Sequence, residues 1–216
     1  MSDFNGSAAN NKGKTFERNI SKKLSEYFKT SVNRVPLSGA WRGNNNQYSL
    51  RDDSNYIGDL FFPTDHPLSI FNYELKNHKE IKLRNFFMNN REVPQFMQQV
   101  VTDSNRLGGV GKSIPCLIVH INREDDYVVL PYQKDMYKSL IANNLPANIS
   151  MLGYTDEMTG RTYKYLSIIT NLSSFGAQSA DSLYRWYHQI DWDKLNVEDN
   201  ASISEDSLDS VLEDIV

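Results

Sequence analysis

The segment from Gly58-Asp59-Leu60 to Glu74-Leu75-Lys76 decides how the chain folds. Tyr56-Ile57-Gly58-Asp59-Leu60-Phe61-Phe62 is rich in β-forming side chains, and Pro63-Thr64-Asp65-His66-Pro67 supplies the turn that ends it. The return run Leu68-Ser69-Ile70-Phe71-Asn72-Tyr73-Glu74-Leu75-Lys76 is again apolar until it closes in charge, so the pair predicts a hairpin. Strand alternation then sets Glu74 and Lys76 on one face, Tyr73 and Leu75 on the other. Neighbouring strands lie about 4.8 Å apart, close enough for Asp59 and Glu74 to hold one divalent cation if the register sets them side by side. Two carboxylates and a lysine suit metal-assisted phosphodiester hydrolysis. Glu-x-Lys alone usually means a solvated face with a weak ion pair and is weak evidence. The order of parts carries more weight: a helix with a glutamate, a strand with Asp59, then Glu-x-Lys, then a further helix and an apolar strand.

The rest of the chain is read around that hairpin. Residues 1–11 are Ser-, Asn- and Gly-rich and are expected to be flexible. A helix is predicted from Thr15, with Phe16, Ile20, Leu24, Tyr27 and Phe28 as its apolar stripe. Glu17 falls in the first turn of that helix, where it would complement the dipole. Val32 to Val35 reads as a short strand, followed by loop chemistry from Pro36 to Gln47. Arg34, Arg42 and Arg51 with Trp41 and Tyr48 suit a nucleic-acid groove, and equally an ordinary polar loop with a buried Trp. Lys79, Lys82, Arg84 and Arg91 form a second basic concentration. A helix is predicted for Val93–Leu107, entered through Pro94 and carrying Gln95, Gln98 and Gln99. Ile114–Ile121, Tyr127–Leu130 and Thr162–Thr170 read as strands, Asp135–Asn143 and Ser182–Ile190 as helices.

Composition limits the classes available. With 216 residues, 39% apolar and 23% charged, the chain suits one globular domain with appendages. No run reaches the roughly 18 apolar residues of a membrane span, and Met1-Ser2-Asp3-Phe4-Asn5-Gly6 lacks signal-peptide character, so an intracellular, non-secreted protein with no membrane partner is expected. Cys116 stands alone, excluding an internal disulfide, and sits in an apolar run that predicts core packing. The net charge of −4 hides an asymmetry: residues 191–216 hold nine acids and one lysine, so the remainder is net +4. An acidic total therefore leaves a nucleic-acid partner open. Gly108-Gly109-Val110-Gly111-Lys112-Ser113 looks like a phosphate-binding loop. Arg106 stands where its first glycine belongs, and the segment follows a helix where such a loop follows a strand. The four histidines have no metal-ligand spacing.

Lys12-Gly13-Lys14-Thr15-Phe16-Glu17-Arg18 resembles the opening Lys-Gly-x-x-x-Glu-Arg of the PD-(D/E)xK Holliday-junction resolvases of the archaeal and RecU types. Arg34-Val35-Pro36-Leu37-Ser38-Gly39 resembles their Arg-x-Pro-x-Ser-Gly, and Gly58-Asp59-Leu60 with Glu74-Leu75-Lys76 falls in their metal-binding positions. Leu83-Arg84-Asn85-Phe86 and Phe96-Met97-Gln98-Gln99-Val100 are similar to the RecU branch. The likeness covers about residues 12–121; the segment between Ser38 and Asp59 is longer than in the compact archaeal enzymes, and the acidic end has no counterpart there.

The resemblance implies an α/β fold with a restriction-endonuclease-like mixed sheet flanked by helices. Residues 12–190 would be the nuclease domain and 191–216 an acidic tail. It implies Mg²⁺, with Mn²⁺ able to substitute, held by Asp59, Glu74 and the Leu75 carbonyl, with Glu17 completing the metal environment. Lys76 would orient or deprotonate the attacking water, with Ser38 and Arg34 at the phosphate. Lys14, Arg18, Arg34, Arg42, Lys79 and Gln98 would contact DNA. The implied activity is paired nicking of four-way junctions by a homodimer. Two rivals stay open: a nuclease of the same superfamily acting on flaps, nicks or duplex ends, and a noncatalytic DNA-binding replication or recombination subunit. Residues 199–216 read as a solvating tail, a docking peptide for a recombination or replication protein, or a DNA mimic over the chain's own basic loop.

Overall fold

Most of the apolar runs just described end up in one mixed sheet. The computed structural model describes residues 4–35, 58–77, 81–86, 92–107, 113–155, 162–190 and 196–198. Eight strands, β1 (Asn33–Arg34), β2 (Leu60–Phe61), β3 (Phe71–Asn77), β4 (Ile114–His120), β5 (Asp126–Pro131), β6 (Asn148–Thr155), β7 (Thr162–Asn171) and β8 (Asn196–Glu198), form the sheet in the order β1-β2-β3-β4-β5-β7-β6, with β8 also against β7. Among the described strands only β3 and β4 pair in parallel, and helix α2 (Glu92–Leu107) lies in the crossover between them. The result is an α/β fold of the restriction-endonuclease-like kind.

The two faces of β3 are covered by different helices. Asn72 and Lys76 donate hydrogen bonds to α2, and Glu74 accepts one from it. On the other side the alternate residues pack ring to ring, Tyr73 tilted against Phe62 and Phe71 edge-on to Phe175 and Tyr187. There lie α1 (Phe4–Phe28), α4 (Leu172–Gly176) and α5 (Ala180–Tyr187), with α3 (Lys134–Ala142) packed on α5. Phe16, Ile20 and Leu24 recur at every fourth position of α1 and are all buried; Val93, Met97, Val100 and Val101, spaced i, i+4, i+7 and i+8, form the buried stripe of α2. β4 is buried along both faces from Ile114 to Val119, as the central strand of a covered sheet must be. Cys116 is fully buried within it, and burial pushes its thiol up.

Several expectations change. Helix α1 begins at Phe4, not near Thr15, since no proline interrupts the run, so most of the stretch expected to be flexible is helical. Glu17 is therefore well inside the helix rather than in its first turn. Tyr27, expected in the buried stripe, is 38% exposed. The strands of the first hairpin are shorter than read, with Pro67–Ile70 folded as a 3-10 turn capped by the His66 ring, which accepts from the Leu68 N–H. β6 and α4 were not anticipated, and β8 brings part of the acidic end into the sheet. Of the residues singled out in the sequence, Ser38, Trp41, Arg42, Tyr48, Arg51, Lys79 and Arg91 lie outside the described residues, as do residues 199–216. Among the described residues, no helix is long and apolar enough to cross a membrane.

Candidate active site

Asp59 owes its place to the glycine before it. Gly58 adopts φ +91°, and a Cβ there would lie 2.5 Å from Asn72 Oδ1 and 2.6 Å from the Tyr73 carbonyl oxygen. This close approach lets the Asp59 N–H donate to the Tyr73 carbonyl at 2.7 Å, while the Asp59 carbonyl accepts from the Val35 N–H at 3.0 Å. Its backbone is thus stitched between β1 and β3. The antiparallel register pairs Leu60 with Tyr73, and Asp59 stands just before that pair.

The Asp59 side chain then turns in over β3, where Oδ2 accepts from the Leu75 N–H at 2.8 Å. Burial, followed by the charge of Glu74, raises its carboxyl from the ordinary 3.8 to about 7; Glu17 adds to the rise, and the Leu75 N–H and the Lys76 charge oppose it. Glu74 is 2% exposed. Its Oε1 accepts from Lys76 Nζ at 2.7 Å and from Gln99 Nε2 at 2.6 Å. Lys76 also donates to Gln99 Oε1 at 2.8 Å and lies 5.4 Å over the Phe96 ring. One amide side chain on α2 therefore bridges both ends of the Glu74–Lys76 pair, satisfying a buried charge pair that would otherwise be costly.

Asp59, Glu74, Leu75 and Lys76 are brought together, and Glu17 is near enough to act on Asp59. The Glu17 carboxylate itself accepts from Arg34 Nε at 2.6 Å and from the Arg34 terminal nitrogen, so these two candidates hold each other across α1 and β1. Lys14 and Arg18 stand exposed on α1, and Gln98 is half-buried on α2 beside the bridging Gln99. Sequence reading gave Gln99 no role. A glutamine one helix away and 25 positions from its carboxylate leaves no local signal.

Among the described residues, no three His, Cys, Asp or Glu side chains converge on a common metal position. The hard oxygen pair of Asp59 and Glu74 nonetheless fits a magnesium-type ion, which is ordinarily held through one or two carboxylates and keeps several waters. The mutual repulsion written into the raised Asp59 carboxyl is what a divalent cation would relieve.

A family model described as "Phage putative PDDEXK endonuclease" matches residues 8–184. No curated protein and no solved structure matches the chain. Since the match runs from within α1 to within α5 and takes in β1 to β7 with both carboxylates and the lysine, the chain belongs to this PDDEXK endonuclease family.

Proposed function

We propose that the chain is a divalent-metal-dependent DNA endonuclease that resolves four-way junctions by paired nicking. Family membership supports a nuclease. The observation that carries the hydrolytic reading is the Asp59 carboxylate, held on the Leu75 N–H and pushed up by burial and by the charge of Glu74, with Lys76 bound to Glu74. Asp59, Glu74 and the Leu75 carbonyl would hold Mg²⁺ or Mn²⁺, which when bound supplies Lewis-acid polarisation of the phosphate and acidifies water. Lys76, fixed by Glu74 and Gln99, orients the water that attacks phosphorus and moderates its proton. The bond to the 3′ oxygen breaks, and that oxygen takes a proton from solvent water, leaving 5′-phosphate and 3′-hydroxyl ends. Arg34, with its charge balanced by Glu17, positions a phosphate as DNA enters beside β1.

Choice of the four-way junction is supported by the Lys12–Arg18 and Arg34–Gly39 motifs, which resemble those of junction resolvases, and a two-fold dimer would set two sites against opposing strands. The test is incubation of purified protein with Mg²⁺ and labelled four-way junction, flap, nicked duplex and single strand. Symmetric paired nicks in the junction are expected, from a protein that light scattering finds dimeric. Preferential cutting of a flap or nicked duplex, or full activity as a monomer, overturns the junction reading and leaves the nuclease.

A further inference from the structure

Of the three acids at the site, two already hold a cation. Glu74 takes Lys76, which Gln99 ties a second time. Glu17 takes Arg34, whose Nε donates to Glu17 Oε2 at 2.6 Å and whose terminal nitrogen reaches the same oxygen. The third acid, Asp59, rests on the Leu75 N–H and feels the charge of both others. The Glu17–Arg34 pair is also fixed to the backbone that carries Asp59. Arg34 pairs with Leu60 in the β1–β2 register, and the Val35 N–H donates to the Asp59 carbonyl at 3.0 Å.

The grip of Arg34 is one that a ligand can exchange. A guanidinium binds carboxylate and phosphate with the same planar fork. The Arg34 side chain keeps 26% of its surface in water, enough for a phosphate to reach it, whereas Glu17 keeps 16%. Losing Arg34 would leave Glu17 a largely buried, unpaired carboxylate whose charge Asp59 feels, and such a charge is costly. A divalent cation on the oxygens of Asp59 and Glu74 removes that cost by taking Glu17 as well. Among the described residues no three acids converge on one metal position, which is the arrangement expected while Arg34 holds Glu17.

We infer that Arg34 is a latch on the metal site. Without DNA it holds the Glu17 carboxylate back; a DNA phosphate that draws Arg34 away lets Glu17 join Asp59 and Glu74 around a divalent cation, so DNA and metal bind cooperatively. The inference rests on the reading of the chain as a DNA nuclease with its metal at Asp59 and Glu74. Ca²⁺ affinity is measured by titration calorimetry at one pH and about 0.15 M salt, with and without a saturating paired duplex, after subtraction of the Ca²⁺ that the duplex binds alone. The duplex tightens Ca²⁺ about tenfold, within the usual range of coupling between two sites. Arg34→Gln binds Ca²⁺ tightly without DNA and loses most of the duplex's effect. Glu17→Gln binds Ca²⁺ alike with and without duplex, and adding Arg34→Gln to it changes nothing further, which separates a latch from the field of one arginine. An effect of Arg34→Gln that persists beside Glu17→Gln overturns the latch. So does a Ca²⁺ affinity that the duplex leaves unchanged in the unaltered protein, a comparison that needs no variant to fold. Mg²⁺-dependent cleavage by the unaltered protein is scored separately: cleavage without coupling leaves the nuclease standing, and neither Ca²⁺ binding nor cleavage of any DNA overturns both.

Discussion

At the scale of single residues, Asp59 links the fold to the chemistry through its proton. Its carboxyl titrates near 7 in the folded chain against 3.8 ordinarily. Between those values the native state keeps a proton that the unfolded chain has lost, so this group lowers stability as pH rises, and the cost is complete above about pH 7. Asp59→Asn keeps an acceptor for the Leu75 N–H while removing the charge. In metal-free buffer it should unfold at higher urea than wild type at pH 8, by on the order of 2 kcal/mol, with the gain vanishing toward pH 4. It should also have lost cleavage. No gain at pH 8 would mean that burial and the charge of Glu74 do not hold the Asp59 carboxyl up. Gly58→Ala tests the backbone beneath: with φ +91° and a Cβ inside contact distance of the Tyr73 carbonyl, a loss of about 2–3 kcal/mol in urea is expected. Neither effect is visible in the residue string. Gly-Asp-Leu announces a carboxylate on a strand, whereas the pairing of Glu17 with Arg34, 17 positions apart, depends on how α1 lies over β1.

At the scale of elements, legibility followed length and periodicity. The Asp59–Lys76 hairpin, α2, β4 and β7 were readable because each carries a sustained period of apolar side chains. β6 was not, since Asn148-Ile149-Ser150-Met151-Leu152-Gly153 alternates weakly, includes a glycine and needs β7 beside it to be a strand. α4 spans five residues, too few for a period, and is fixed by its cap, Asn171 Oδ1 accepting from the Ser174 N–H. Helix α2 shows why the site was only half legible. Its buried stripe could be read, yet its role at the site comes from Gln99, which lies on the helix flank between that stripe and β3. Gln99→Leu should leave the Glu74–Lys76 pair one donor short and cost about 1–3 kcal/mol in urea. Cleavage should fall as well, because Lys76 loses the acceptor that fixes it. A variant with unchanged stability and unchanged cleavage would remove the bridge from the account.

At the scale of the whole molecule, charge and topology meet at the acidic end. Residues 191–216 carry net −8 against net +4 for everything before them, so the end would repel a DNA partner that the rest would attract. Part of it is also structural, because β8 pairs Asn196 with Tyr165, Val197 with Lys164 and Glu198 with Tyr163 of β7. The two contributions separate by where the chain is cut. Truncation after Asn200 removes net −5 and keeps β8; truncation after Ile190 removes net −8 and β8 together. If the end acts by charge alone, both should bind DNA more tightly at low salt, the shorter chain more so, and the gain should fade as screening grows over about 0.1 to 1 M salt. Thermal stability should fall only in the cut that takes β8 away. A gain in affinity that persists at high salt would instead mean that residues 201–216 occupy the DNA surface by specific contacts. Peptide 199–216 added in trans would then compete with DNA, and Leu208→Ala with Leu212→Ala would weaken that competition at unchanged charge.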